Sequence, residues 1–146
     1  MTSTTQAKPL QALLDQGIAL QHAGNNASAQ ALFEQALKKD SNNAVANYSL
    51  SAIASAQGNY PEALVYVKKV LRSSPQFAQA HMAHSVILFH LGRMDESLAA
   101  VQKALKLDPN LAGAQAHLDT VRLAQASQPD ANTAGNPQVV ALNTQA

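Results

Sequence analysis

Small, apolar and turn-forming residues recur along this chain at a constant step of 34 positions. Glycine stands at Gly24, Gly58 and Gly92. The same step joins Ala29, Ala63 and Ser97, then Ala36, Val70 and Ala104, then Leu37, Leu71 and Leu105, then Ser41, Pro75 and Pro109. A fixed period of this size marks stacked supersecondary units. Each period reads as two helices. The middle unit predicts a first helix over 44–57, ended by Gly58 and Asn59, because glycine closes helices in the left-handed conformation. Pro61 opens its second helix, which runs to about Arg72, and Pro75 prevents continuation. The third unit predicts helices over 78–91 and 95–107, stopped by Asp108 and Pro109. The first predicts 10–23 and 27–39, with Ser41, Asn42 and Asn43 as the break.

One further helix is expected over 111–126. Its Ala114, Leu118 and Val121 fall where a first helix meets the preceding second helix, while Gln115, Asp119 and Arg122 are polar. One buried and one solvated face suit the last helix of a solenoid. The expected organisation is a disordered N-terminus over 1–9 and a repeat domain over 10–126. That domain holds repeats 10–43, 44–77 and 78–111 and a capping helix over 111–126. A flexible tail rich in Gln, Asn, Pro and Ala covers 127–146.

On this grid, position 8 is Gly17, Ser51 and Ser85; position 20 is Ala29, Ala63 and Ser97; position 24 is Phe33, Val67 and Val101. The stretch from Gly92 to Pro109 is close to the consensus of the tetratricopeptide repeat, and the chain from Leu10 to about Ala126 resembles that family. The resemblance implies an all-α fold: a right-handed α-α superhelix, or solenoid, of three helix–turn–helix repeats plus a C-terminal capping helix. Small residues at positions 8, 20 and 27 let the helices approach, and the larger ones at 24 and 28 fill between them. The family's usual tryptophan is replaced by Leu13, Asn47 and His81, and its usual tyrosine by Leu20, Ala54 and Leu88. These changes are expected to shrink the core without altering the fold.

The resemblance also implies a groove lined by the first helices. It selects Leu14, Ile18, Gln21 and His22 from the first repeat; Val45, Tyr48, Ala52 and Ser55 from the second; and Gln79, Met82, Val86, Phe89 and His90 from the third. The set is largely apolar and holds no Lys or Arg. Members that clamp acidic chaperone tails use Lys and Asn at positions 5 and 9. Those places here hold Leu14 and Ile18, Tyr48 and Ala52, Met82 and Val86, so that function does not carry over. An apolar groove suits an amphipathic helix or an extended apolar peptide. The alternatives are a self-associating scaffold using the same patch, or the substrate-recruiting domain of a larger enzyme. The tail offers another occupant, since Val139, Val140 and Leu142 lie about 40 Å of extended chain beyond Ser127.

Composition removes other chemistries. Cysteine is absent, which excludes disulfides and thiolate chemistry. The formal net charge is +1, so no global field calls for nucleic acid or a membrane. No apolar run resembles a signal peptide or a membrane span, and a cytoplasmic protein is expected. No phosphate loop or catalytic motif is present, so the expectation is a non-catalytic protein without cofactor. His81 and His84 are three apart on one helix but lack a third ligand; His84 falls at position 7, normally a buried leucine in the family it resembles, so a satisfied core histidine is expected there and no metal site. Lys38, Arg72 and Lys106 share position 29, and Lys69 and Lys103 share position 26. This basic ridge is expected to complement helix dipoles.

Overall fold

The computed structural model describes residues 8–128, which form seven α-helices and no strand. They are α1 (Leu10–His22), α2 (Asn26–Lys39), α3 (Ala44–Ala56), α4 (Tyr60–Ser73), α5 (Ala78–His90), α6 (Met94–Leu107) and α7 (Ala114–Ser127). Most of both expected tails, including Val139, Val140 and Leu142, lies outside the described residues. No described helix is long and apolar enough to cross a membrane.

Each repeat folds back at its glycine. Gly24, Gly58 and Gly92 have φ of +81, +75 and +78°, a region that side-chain-bearing residues avoid. The following N–H reaches back five residues at each turn: Asn25 to Leu20, Asn59 to Ala54 and Arg93 to Leu88, at 2.8–2.9 Å. That closes the helix in a Schellman pattern. Asn25 and Asn59 then cap the next helix, their side chains accepting from the Ser28 and Glu62 amides. Arg93 has no capping oxygen. It instead holds Glu96 through two guanidinium contacts of 2.9 and 2.7 Å.

The helices of a pair are held together differently from repeat to repeat. Gly17 faces the wholly buried ring of Phe33, and a Cβ at position 17 would lie 2.6 Å from Phe33 Cε1. Where position 8 is serine, position 24 shrinks to Val67 or Val101, and the serine hydroxyl donates to the carbonyl of position 20. Ser51 donates to Ala63 at 3.0 Å and Ser85 to Ser97 at 2.6 Å. The polar replacements of the family tryptophan also act. Asn47 Nδ2 donates to the Ser41 carbonyl at 3.1 Å, and His81 Nε2 lies 2.8 Å from the equivalent Pro75 carbonyl. Both side chains tie a first helix to the loop that precedes it.

The first helices touch one another, α1 with α3, α3 with α5 and α5 with α7, whereas α2, α4 and α6 do not meet. The first helices therefore form the inner, concave side and the second helices splay outward. At the C-terminal end α7 packs on α6, with Ala114, Leu118 and Val121 buried and Gln115, Asp119 and Arg122 exposed. The helix begins at Ala114, not at 111 as expected. Asp108 accepts from the Asn110 amide, and Gly113 takes φ +78°, so the chain turns once more before the helix starts.

Candidate functional site

Two adjoining hollows occupy the concave side. The first, about 550 Å³, is bounded by Ile18, Gln21 and His22 on α1, Ala44, Val45, Tyr48 and Ser49 on α3, and Phe77 at the start of α5. The second, about 270 Å³, lies between α3 and α5 and is bounded by Tyr48, Ser51, Ala52, Ser55, Ala83 and Val86. Tyr48 belongs to both. Its ring is half-buried against Phe77, with centroids 5.1 Å apart. Burial raises the pKa of its phenol, which stays neutral at physiological pH. No Lys, Arg, Asp or Glu lines either hollow. Val45 is 42 % exposed, an apolar side chain left open to solvent at the groove's edge.

The remaining groove candidates sit elsewhere. Leu14 is only 5 % exposed and belongs to the core around Phe33, so it supports the groove wall from beneath and does not present a surface. Met82 packs toward the cluster formed by Val101, Ala114 and Leu118. His90 stacks on Tyr60 at 4.3 Å with the rings nearly parallel, and Phe89 meets His90 and His117 edge-on at 5.7 and 5.8 Å. Gln79 is exposed and borders neither hollow. Residues outside the expected set are Phe77, Ser49, Ala44, Ser51 and Ala83. Phe77 precedes the helix and so escapes a reading based on helical spacing. Leu123 shares the register of Phe89 and is 71 % exposed on α7.

The histidines sort into structural roles. His84 stands where repeat 2 has the buried Leu50, and its Nε2 is buried without a hydrogen-bond partner. The expectation of a satisfied core histidine is corrected on this point: the family's leucine site supplies no acceptor. Burial above all, then His81 and Lys68, lowers its pKa, so the neutral ring is favoured. Three potential ligands do not gather anywhere among the described residues. His117 Nε2 lies 3.0 Å from Ser85 Oγ, a spacing that invites comparison with a nucleophile and its base. The proton inventory argues otherwise. Ser85 gives its hydroxyl proton to the Ser97 carbonyl at 2.6 Å and Ser97 gives its own to the Ser85 carbonyl at 2.8 Å. His117 then donates to Ser85, and Ser85 is wholly buried. The trio fastens α5 to α6 and α7. Burial lowers the pKa of His117 more than the Ser85 contact raises it.

The tetratricopeptide repeat family model matches the chain twice, over residues 20–87 and 54–118. No curated protein matches it in sequence. Among solved structures, the first TPR domain of Spaghetti (RPAP3) bound to an HSP90 peptide superposes with a TM-score of 0.78 at 17 % identity, covering 86 % of this chain and all of that one. A MamA RS-1 double mutant gives 0.77 at 24 % identity, covering 84 % of this chain and 68 % of that one. A mutant O-GlcNAc transferase from Thermobaculum terrenum gives 0.74 at 22 %, covering 82 % of this chain but only 23 % of the transferase. This chain thus spans under a quarter of that enzyme. At these identities the likeness establishes the fold alone, whereas the two family matches together extend over most of the sequence: the chain belongs to the tetratricopeptide-repeat family.

Proposed function

We propose that this protein is a protein-interaction module whose concave side takes an apolar segment, an amphipathic helix or extended peptide, from its partner. One observation carries the reading: two adjoining hollows share Tyr48 and are lined by no Lys, Arg, Asp or Glu. Ile18, Val45 and Phe77 supply apolar wall on one side of Tyr48, Ala52, Ala83 and Val86 on the other. Such a strip favours apolar anchors at helical spacing, with Gln21 and His22 as polar margins. The RPAP3 domain is bound to the peptide SRMEEVD. The present groove offers no Lys or Arg to the carboxylates of such a peptide, so a different ligand chemistry is expected here.

Selection of a displayed peptide library on the protein tests this. The expected winners carry apolar residues three and four apart, and Tyr48→Asp, still helical by circular dichroism, fails to enrich them. Enrichment of acidic sequences, or equal enrichment on Tyr48→Asp, would sink the reading.

A further inference from the structure

The convex side carries a second organised surface. Of ten Lys and Arg in the chain, seven fall in the C-terminal halves of α2, α4 and α6 or at their ends, against three carboxylates there, Glu34, Asp40 and Asp108. The whole chain has a formal charge of only +1, so its charge is strongly segregated. None of the seven is ion-paired among the described residues, where Arg93–Glu96 is the one salt bridge. Asp40 and Asp108 accept from the amides of Asn42 and Asn110, and Glu34 from Gln30. Helix dipoles account for the cations of the last turns, Lys38, Lys39, Arg72 and Lys106. They do not account for Lys68, Lys69 or Lys103, which stand earlier in their helices.

The cations are also shaped into a recess. Asn42, from the loop after α2, meets Lys69, Arg72 and Ser73 of α4 around a hollow of about 360 Å³. Ser73 spends its hydroxyl proton on the Lys69 and Val70 carbonyls, leaving the Lys69 ammonium, the Arg72 guanidinium and the Asn42 amide as outward donors. No carboxylate lines this hollow. One repeat later the same register holds Gln76, Lys103 and Lys106, and one repeat earlier Lys38.

We propose that this edge binds an acidic polypeptide segment of about a dozen residues. The length follows from the fold. Successive second helices are separated by a first helix, so their cations are about two interaxial distances, or 16–20 Å, apart. Three clusters then span about 40 Å, which an extended chain covers in about twelve residues. The second helices do not touch and splay on the outer side, so they present their cations along a curved line. A flexible polyanion follows such a line, whereas a flat bilayer meets only part of it. The stretches 35–42, 69–76 and 103–110 contain no aromatic residue on which a nucleic-acid base could stack. The surface is separate from the groove and does not depend on the groove's ligand.

The test is fluorescence anisotropy of labelled dodecaglutamate with the full chain. Wild type is expected to bind at about 50 mM salt and to weaken steeply by about 200 mM, as exposed charge pairs are screened. The triple variant Lys69→Glu, Arg72→Glu, Lys106→Glu should lose about tenfold or more in affinity. A control of identical net charge, Lys8→Glu, Arg93→Glu, Arg122→Glu, should stay within about threefold of wild type, because its changes avoid the edge. Equal loss in the two triple variants would reduce the effect to global charge and overturn the proposal, as would absence of binding by wild type. Tighter binding of oligothymidylate or of phosphatidylserine vesicles than of dodecaglutamate would overturn it in favour of those polyanions. If a reversal variant fails to fold, Lys69→Gln, Arg72→Gln, Lys106→Gln replaces it with the same expected direction.

Discussion

Repeats 1 and 3 occupy the same grid and close their helix pairs by opposite means. The α1–α2 contact is dry: a glycine with no side chain admits the Phe33 ring. The α5–α6 contact is wet in chemistry though buried: Ser85 and Ser97 exchange hydrogen bonds with each other's carbonyls, and His117 completes the set from α7. Repeat 2 lies between, with a single Ser51 bond and no aromatic filler. Positions 8 and 24 change together from repeat to repeat, so substitutions at the two are expected to couple and not simply to add. The comparison also separates two kinds of risk. A dry contact fails by overpacking, and a polar one fails by leaving a buried group unpaired.

The largest expected effect comes from importing repeat 3's solution halfway. Gly17→Ser places Cβ against the Phe33 ring and should cost about 3 kcal/mol by urea denaturation. Adding Phe33→Val should recover a substantial part of the loss, since the pair then matches Ser51 with Val67; losses that simply add would break the coupling. Next in size, Ser85→Ala orphans His117 Nε2 and removes a bond to the Ser97 carbonyl, for about 2 kcal/mol, while Ser51→Ala loses one bond and about 1 kcal/mol. Equal losses in these two would remove the distinction between repeats 2 and 3.

A comparably small effect at neutral pH, and the most informative across pH, concerns His84→Leu. It restores the residue type that Leu50 provides and removes an unpartnered buried nitrogen, for a gain of about 1 kcal/mol. The sign with pH follows from linkage. The folded His84 has a lowered pKa, so below about 6.5 the unfolded chain binds the proton first and stability falls with acidification. Melting temperatures measured between about pH 7.5 and 5.5 should fall less in the variant than in wild type. The slope should not vanish, because His117 shifts in the same direction. A wild type insensitive to this pH range would contradict the buried neutral ring.

Much of the fold was legible because it is local. The helix pairs, their glycine turns and the polar outer face of α7 depend on backbone preferences and on helical spacing, which individual residues carry wherever they stand. Even so, the start of α7 shifted to Ala114, since Gly113 turns left-handed instead of entering the helix. For the proposed groove, helical spacing named part of the lining of the two hollows. Ile18, Gln21, His22, Val45 and Tyr48 border one hollow, and Tyr48, Ala52 and Val86 the other. Leu14, Gln79, Met82, Phe89 and His90 share the spacing but border neither hollow: Leu14 and Met82 pack into core clusters, and Phe89 and His90 engage aromatic partners, contacts that spacing along one helix does not specify.

The sequence by itself determined the period, the order of helices and the sites where the chain reverses, for these follow from conformations that one or two residues can or cannot adopt. Only the tertiary structure decided which side chains pair across those helices. Phe33 with Gly17, Phe77 with Tyr48 and His117 with Ser85 meet through distances of 16 to 32 residues along the chain. Such contacts turn on fractions of an ångström in helix approach and on rotamers chosen by neighbours, and no spacing rule along one helix contains that information.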